Sequence, residues 1–270
     1  MIEQITGRYI TVRGHRIYLE TAGENKGQPI LFIHTAGQHG IQWRFMLTKI
    51  SAKGYFAIAP DLPGHGKSLV KDFKPLDTVH DFAETLWEMM GLMELKRPIV
   101  VGCSIGGDIA LDLAANHSPD LHAVISCEGA LRTPTLPLQL INQGLEDSGV
   151  PSFGDQGFLS GLSLCGTNAD AERVKEITFT RRSGDPKIYH SDLKAWITHD
   201  IRSQAKQIAC PVLLVWGNED YILPYEFVEE AANNIPGARL KVLEGIGHYP
   251  GTEWPEFNEM VEEFISSLKV

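Results

Sequence analysis

Ser104 lies in the run Gly102-Cys103-Ser104-Ile105-Gly106-Gly107, between the apolar stretch Ile99 to Val101 and a helix-like stretch from Asp108 to Asn116. A strand that ends in G-x-S-x-G and passes directly into a helix forms a nucleophile elbow, with the serine hydroxyl exposed at a tight turn. Small neighbours are needed because strand and helix cross closely, and the three glycines supply that room. A serine hydroxyl becomes a useful nucleophile when a histidine takes its proton and a carboxylate orients the histidine. Downstream the chain offers Asp220, at the end of Val212 to Tyr221, and then His248, within Gly245 to Pro250. Both follow a β-like run where it breaks into a loop, in the order nucleophile, acid, histidine.

A second carboxylate competes with Asp220. Glu128, in Ser126-Cys127-Glu128-Gly129, follows the preceding strand and could reach the same histidine. Cys103 adjoins the serine, but the reacting side chain of the elbow is two residues after the first glycine. Cys103 would therefore end the strand and point the other way, as a structural residue.

The elements that must position these groups alternate. A hairpin is expected from Arg8 to Val12 and Ile17 to Thr21, turning at Arg13-Gly14. Short apolar runs follow at Ile30 to Ile33, Tyr55 to Ala59, Pro98 to Val101, Ala123 to Ser126, Val212 to Trp216 and Leu240 to Leu243. Helical periodicity marks Val79 to Met90, Asp108 to Ala115, Tyr225 to Asn233 and Pro255 to Leu268. This pattern predicts an α/β fold: a mostly parallel, twisted sheet flanked by helices, with the hairpin as an antiparallel edge. The alternation fails between Ala130 and Gln207, where Ser152 to Gly157 reads as loop and helical pieces fall at Ala169 to Thr178 and His190 to Ser203. We read residues 1–130 and 206–270 as the core and 131–205 as a small helical cap over the carboxyl edge of the sheet, where open α/β proteins place ligands.

With 24 Lys and Arg against 34 Asp and Glu, the net charge of -10 argues against nucleic acid or an anionic membrane as the main partner. No apolar leader or membrane span is visible, so a cytoplasmic protein with a small-molecule substrate is expected. The four cysteines lack C-x-x-C spacing, and no metal site is expected. The sequence carries no sign of oligomeric state.

The chain resembles the α/β-hydrolase superfamily over nearly its whole length. Besides the elbow, His34-Thr35-Ala36-Gly37 is similar to the His-Gly oxyanion loop, with Thr35 where glycine is usual, and Asp61 to Ser68 looks like the D-x-P-G-x-G-x-S loop. The resemblance implies that the backbone N–H groups of Ile105 and Ala36 form the oxyanion hole and that His34 and His65 stabilise loops. It places the triad acid at Asp220, with Glu128 lining the pocket. A minority of relatives use the Glu128 position instead, among them the zearalenone-lactone hydrolases, which the chain resembles at the elbow and at this spacing.

The expected function is a serine hydrolase needing no cofactor, acting on an ester or lactone of a small, fairly apolar molecule. The alternatives are a carbon–carbon bond hydrolase acting on a diketone or ring-cleavage product, and a ligand receptor built on the hydrolase fold. Trp43, at the start of the helix after the oxyanion loop, and Tyr189, His190 and Trp196, in the cap, are expected to bind substrate.

Overall fold

A computed structural model describes residues 4–135, 139, 142 and 153–268. Strands β1 (Thr6–Val12) and β2 (His15–Ala22) form the expected hairpin. Its turn residues Arg13 and Gly14 both have positive φ, 50° and 83°. Two such residues match the right-handed twist of the strands they join.

The remaining strands are β3 (Pro29–Ile33), β4 (Phe56–Pro60), β5 (Ile99–Cys103), β6 (Ala123–Cys127), β7 (Val212–Gly217) and β8 (Arg239–Leu243). They complete a sheet of order β1-β2-β4-β3-β5-β6-β7-β8, parallel from β4 to β8, with the hairpin joined antiparallel through β2. Strands β3 to β6 are buried at every position, which is why they read as unbroken apolar runs.

The helices are α1 (Arg44–Ser51), α2 (Val79–Leu92), α3 (Ile105–His117), α4 (Phe153–Ser163), α5 (Ala171–Arg181), α6 (Pro186–Trp196), α7 (Tyr225–Asn234), α8 (Pro250–Glu253) and α9 (Phe257–Ser267). Helices α2, α3 and α7 cover one sheet face, where Leu31, Ile33 and Val100 meet Phe82, Ile109 and Val228. Helices α1 and α9 cover the other, where Phe32 and Val101 meet Leu47 and Phe264.

Trp43 belongs to this second layer and not to a substrate pocket. It is fully buried, with its ring 5.2 Å from that of Phe32 and 6.1 Å from that of Phe257. The short helical turn Gly40–Trp43 carries the indole under the sheet, so burial of apolar area decides its place.

Helices α4 to α6 fill the break between β6 and β7. Asp170 caps α5 by accepting from the N–H groups of Glu172 and Arg173, and Asp185 caps α6 in the same way, with Pro186 in the first turn. The run from Ser152 to Gly157 is not the expected loop: residues 153–157 open α4, and Ser152 lies outside the described residues. A Cβ at Gly157 would come within 2.8 Å of the Arg181 carbonyl oxygen, and one at Gly161 within 3.0 Å of Arg181 Cδ. These glycines let α4 lie close against α5. The stretch from His190 to Ser203 also divides: α6 ends at Trp196, and a 3₁₀ turn begins at Arg202.

Candidate active site

Ser104 joins β5 to α3 at φ 57° and ψ −125°, a conformation in which an L-residue is strained. Its N–H donates to the Cys127 carbonyl at 2.8 Å. A Cβ at Gly102 would overlap the Gly106 carbonyl oxygen, and one at Gly106 would lie 2.5 Å from that of Ile33. The spacing of glycines around the serine therefore follows from backbone crossing backbone. Cys103 faces away into the layer beneath the sheet, where its thiol donates to the His248 carbonyl at 3.2 Å. Burial pushes the Cys103 thiol well above its usual range.

His248 sits in the loop after β8. Its Nδ1 donates to Asp220 Oδ2 at 2.8 Å, while Asp220 Oδ1 accepts from the Ile222 N–H at 2.8 Å. The loop is fixed from within by Glu253. One oxygen of this fully buried carboxylate accepts from the N–H groups of Gly166 and Gly247, and the other accepts from that of Tyr249, each at 2.8 Å.

Glu128 neither lines the cavity nor meets His248. It is 1 % exposed, its Oε1 accepts from the Gly217 N–H at 2.7 Å, and its carboxyl faces Asp220. Burial, with the Asp220 charge and hydrogen bond, raises the Glu128 carboxyl well above the ordinary carboxylate range. Burial acts the same way on Asp220, but the imidazole beside it and the Glu128 hydrogen bond win, leaving Asp220 below its ordinary value. The pKa values of two adjacent carboxyls are thus driven apart, Glu128 upward and Asp220 downward. The buried position replaces the pocket-lining role expected for Glu128.

Ser104 and His248 open onto one cavity of ≈ 210 Å³, which Ala36 and Ile105 also line. Ile105 begins α3, so its N–H has no acceptor within the helix. Thr35 fits the loop without glycine because its N–H and hydroxyl both donate to Gln42 Oε1, at 2.9 and 3.3 Å. His34 bridges the Leu62 N–H, accepted at Nε2, and the Thr35 carbonyl, to which Nδ1 donates. Burial and the nearby His65 hold the His34 ring well below its ordinary pKa, consistent with this neutral tautomer.

Helices α4 to α6 provide the rest of the wall, through Arg181, Tyr189, Leu193 and Trp196. Asp192 on α6 pairs with His65 Nε2 at 2.7 Å, and the same Oδ2 accepts from the Gly37 N–H at 3.1 Å. Asp108 on α3 accepts from Trp196 Nε1 at 2.7 Å and from the Ala130 N–H at 2.8 Å. Of the residues expected to bind substrate, Tyr189 and Trp196 line the cavity. His190 does not: its Nδ1 is held by the Pro186 carbonyl at 2.7 Å, and the ring lines a neighbouring cavity. Tyr189 lines both cavities, and the one-residue step along α6 takes only His190 out of the Ser104 cavity.

Sequence reasoning missed Glu253, Asp192, Asp108 and Arg181. The one available signal was for Glu253, a lone acid five residues after His248, beside a loop whose N–H groups need acceptors.

Residues 28–253 match the family model described as the alpha/beta hydrolase fold. The chain belongs to the α/β-hydrolase family. Among curated α/β-hydrolase relatives, a monoacylglycerol lipase abhd6-A of Xenopus laevis is 27% identical, covering 91% of this chain and 79% of its own. A 2-hydroxy-6-oxo-6-phenylhexa-2,4-dienoate hydrolase of Burkholderia cepacia is 25% identical over 98% of each. The enol-lactonase of Burkholderia xenovorans LB400 superposes with a TM-score of 0.84 at 23% identity, covering 96% of this chain and all of that one. This last likeness speaks for the fold, an eight-stranded, mostly parallel α/β-hydrolase sheet. Among the described residues, no helix is long and apolar enough to cross a membrane.

Proposed function

We propose that the chain is a serine hydrolase that cleaves an ester or lactone of a small, largely apolar molecule, with α4 to α6 as the cap of its site. The observation that carries this reading is the 2.8 Å contact between His248 and Asp220, with His248 facing the same cavity as a serine held at an elbow.

With Asp220 fixing Nδ1–H, the other imidazole nitrogen of His248 is left free to accept the Ser104 proton as the hydroxyl attacks the carbonyl carbon. Charge then gathers on the carbonyl oxygen, where the N–H groups of Ile105 and Ala36 receive it. Collapse expels the alcohol, which takes the proton back from His248, and leaves an acyl group on Ser104. Water activated by the same histidine releases the acid. Every step is a proton transfer or an acyl transfer, so the scheme requires no cofactor.

The wall of Leu193, Trp196 and Ile222 favours an apolar substrate body. A relative named as a dienoate hydrolase keeps carbon–carbon cleavage as a second reading, since the same groups could serve it. A fluorophosphonate probe should label wild-type protein at Ser104 and leave folded Ser104→Ala unlabelled. A panel of esters, lactones and diketones then separates the two chemistries. Labelling elsewhere, or undiminished turnover by Ser104→Ala, would refute the serine mechanism.

A further inference from the structure

Arg181 is the C-terminal residue of α5, 9 % exposed, and it lines both the Ser104 cavity and the adjoining cavity of ≈ 180 Å³. Its Nη1 donates to the Tyr249 hydroxyl at 2.7 Å, and the guanidinium lies 5.5 Å from the centre of the Tyr189 ring. Nη2 makes a long contact, 3.5 Å, to Ser160 Oγ, the Tyr189 hydroxyl also bonds the guanidinium, and Nε is buried without a partner. Among the described residues no carboxylate forms an ion pair with it, although most other charged pairs here are satisfied locally. A buried cation without an anion is costly, and so is a buried N–H without an acceptor. Both shortfalls fall on one side of the guanidinium, the Nε–Nη2 edge, whose two parallel donors match the two oxygens of a carboxylate.

We propose that Arg181 is a specificity-determining residue that receives a carboxylate of the substrate. The preferred substrate is then an ester or lactone whose apolar body carries an acid group besides the scissile carbonyl, such as a half-ester of a dicarboxylic acid. This rests on the serine-hydrolase reading for turnover but not for binding. Tyr249 and Tyr189 hold the guanidinium through their hydroxyls, and the Nε–Nη2 edge receives the acid while Ser104 reaches the carbonyl of the same molecule.

The test compares monomethyl esters of succinate, glutarate and adipate with the corresponding dimethyl esters. Wild type should favour at least one half-ester over its neutral partner in kcat/KM by about tenfold or more, the scale of one charged hydrogen-bonded contact. Arg181→Gln should abolish that preference mainly by raising KM for the half-ester, with the dimethyl ester changed only a few-fold. Arg181→Lys, which keeps the charge but loses the fork, should retain part of it and guards against a folding defect in the glutamine variant. Binding of the same half-esters to Ser104→Ala, followed by calorimetry, reads the contact without turnover, and the double variant with Arg181→Gln should lose it. Equal losses on charged and neutral esters, or no half-ester binding to Ser104→Ala, would overturn the carboxylate assignment. Fluorophosphonate labelling of Ser104 reports separately on the nucleophile, so the two readings fail independently.

Discussion

Glu128 and Asp220 face each other, and their surroundings shift the two carboxyls in opposite directions, Glu128 upward and Asp220 downward. Burial and the adjacent Asp220 raise the Glu128 carboxyl, whose Oε1 is held by the Gly217 N–H. The acid that touches the imidazole is held below its ordinary value by His248 first and by the second acid behind it.

Asp220→Asn should cost about ten-thousand-fold in kcat, because an amide at that place presents the wrong partner to Nδ1–H. Glu128→Gln should be mild, within a few-fold, since its amide can still donate to Asp220 and its carbonyl can still accept from Gly217. Glu128→Leu, which can do neither, should be much worse than Glu128→Gln. Steady-state kinetics on the best ester found in the panel measures all three. A crippled Glu128→Gln with a nearly normal Asp220→Asn would reverse the assignment.

The His65–Asp192 pair predicts a pH dependence of stability. Burial alone would lower the His65 pKa, but the charge and hydrogen bond of Asp192, with help from the Pro63 carbonyl and Asp61, outweigh it and leave the ring above its ordinary 6.5. A raised histidine pKa gives a contribution that is complete below the unfolded value and fades as pH rises through the folded one. Tm should therefore fall on the alkaline side of 6.5 by an amount that Asp192→Asn removes. Parallel Tm curves for wild type and Asp192→Asn would contradict this linkage.

Glu253 holds three N–H groups, those of Gly247 and Tyr249 buried and that of Gly166 partly so, and Glu253→Ala should cost about 2 kcal/mol or more, taking roughly 1–3 kcal/mol for each buried donor left unpaired. Urea titration reads the stability. A loss of kcat at temperatures where the variant is fully folded should accompany it, because the loop released is the one that carries His248.

Asp108→Asn turns one acceptor into a donor where both carboxylate oxygens accept, from Trp196 Nε1 and from the Ala130 N–H. Roughly 1–3 kcal/mol of destabilisation is expected from the donor–donor conflict. Urea unfolding followed by far-UV circular dichroism measures it, because the five tryptophans of the chain emit together. Stability equal to wild type would show that the contact between α3 and α6 does not matter.

The sheet could be read from the sequence because β3 to β6 are buried on both faces, and only continuous apolar runs satisfy that environment. The serine elbow was readable for a related reason: glycine is the one residue that lets the β5 and α3 backbones cross at Gly102 and Gly106. Trp43 was not, because an indole beside a glycine-containing loop looks the same whether it turns toward the cavity or under the sheet. Helix α4 was hidden by its glycines, whose low helix propensity is overridden by close packing on α5. Arg181 stands in unremarkable helical sequence, and only its burial gives it meaning. The choice between Asp220 and Glu128 also needed coordinates, since two carboxylates at the ends of neighbouring strands are equivalent until one is seen to touch the imidazole.

Helix α6 is tethered at two levels, through Asp192 to the loop at Gly37 and through Trp196 to α3, with both carboxylates buried. These hydrogen bonds fix the α6 side of the cavity, and the opposite side lies between α4 and the residues that follow β7. Leu164 and Tyr221 stand on that side of the cavity, and Tyr221 is 60 % exposed. Trimming either of them should admit bulkier molecules, whereas the width set by Leu193 and Trp196 stays constant. Attempts to broaden the range of compounds accepted should thus start at the exposed Tyr221 rather than at Leu193 or Trp196.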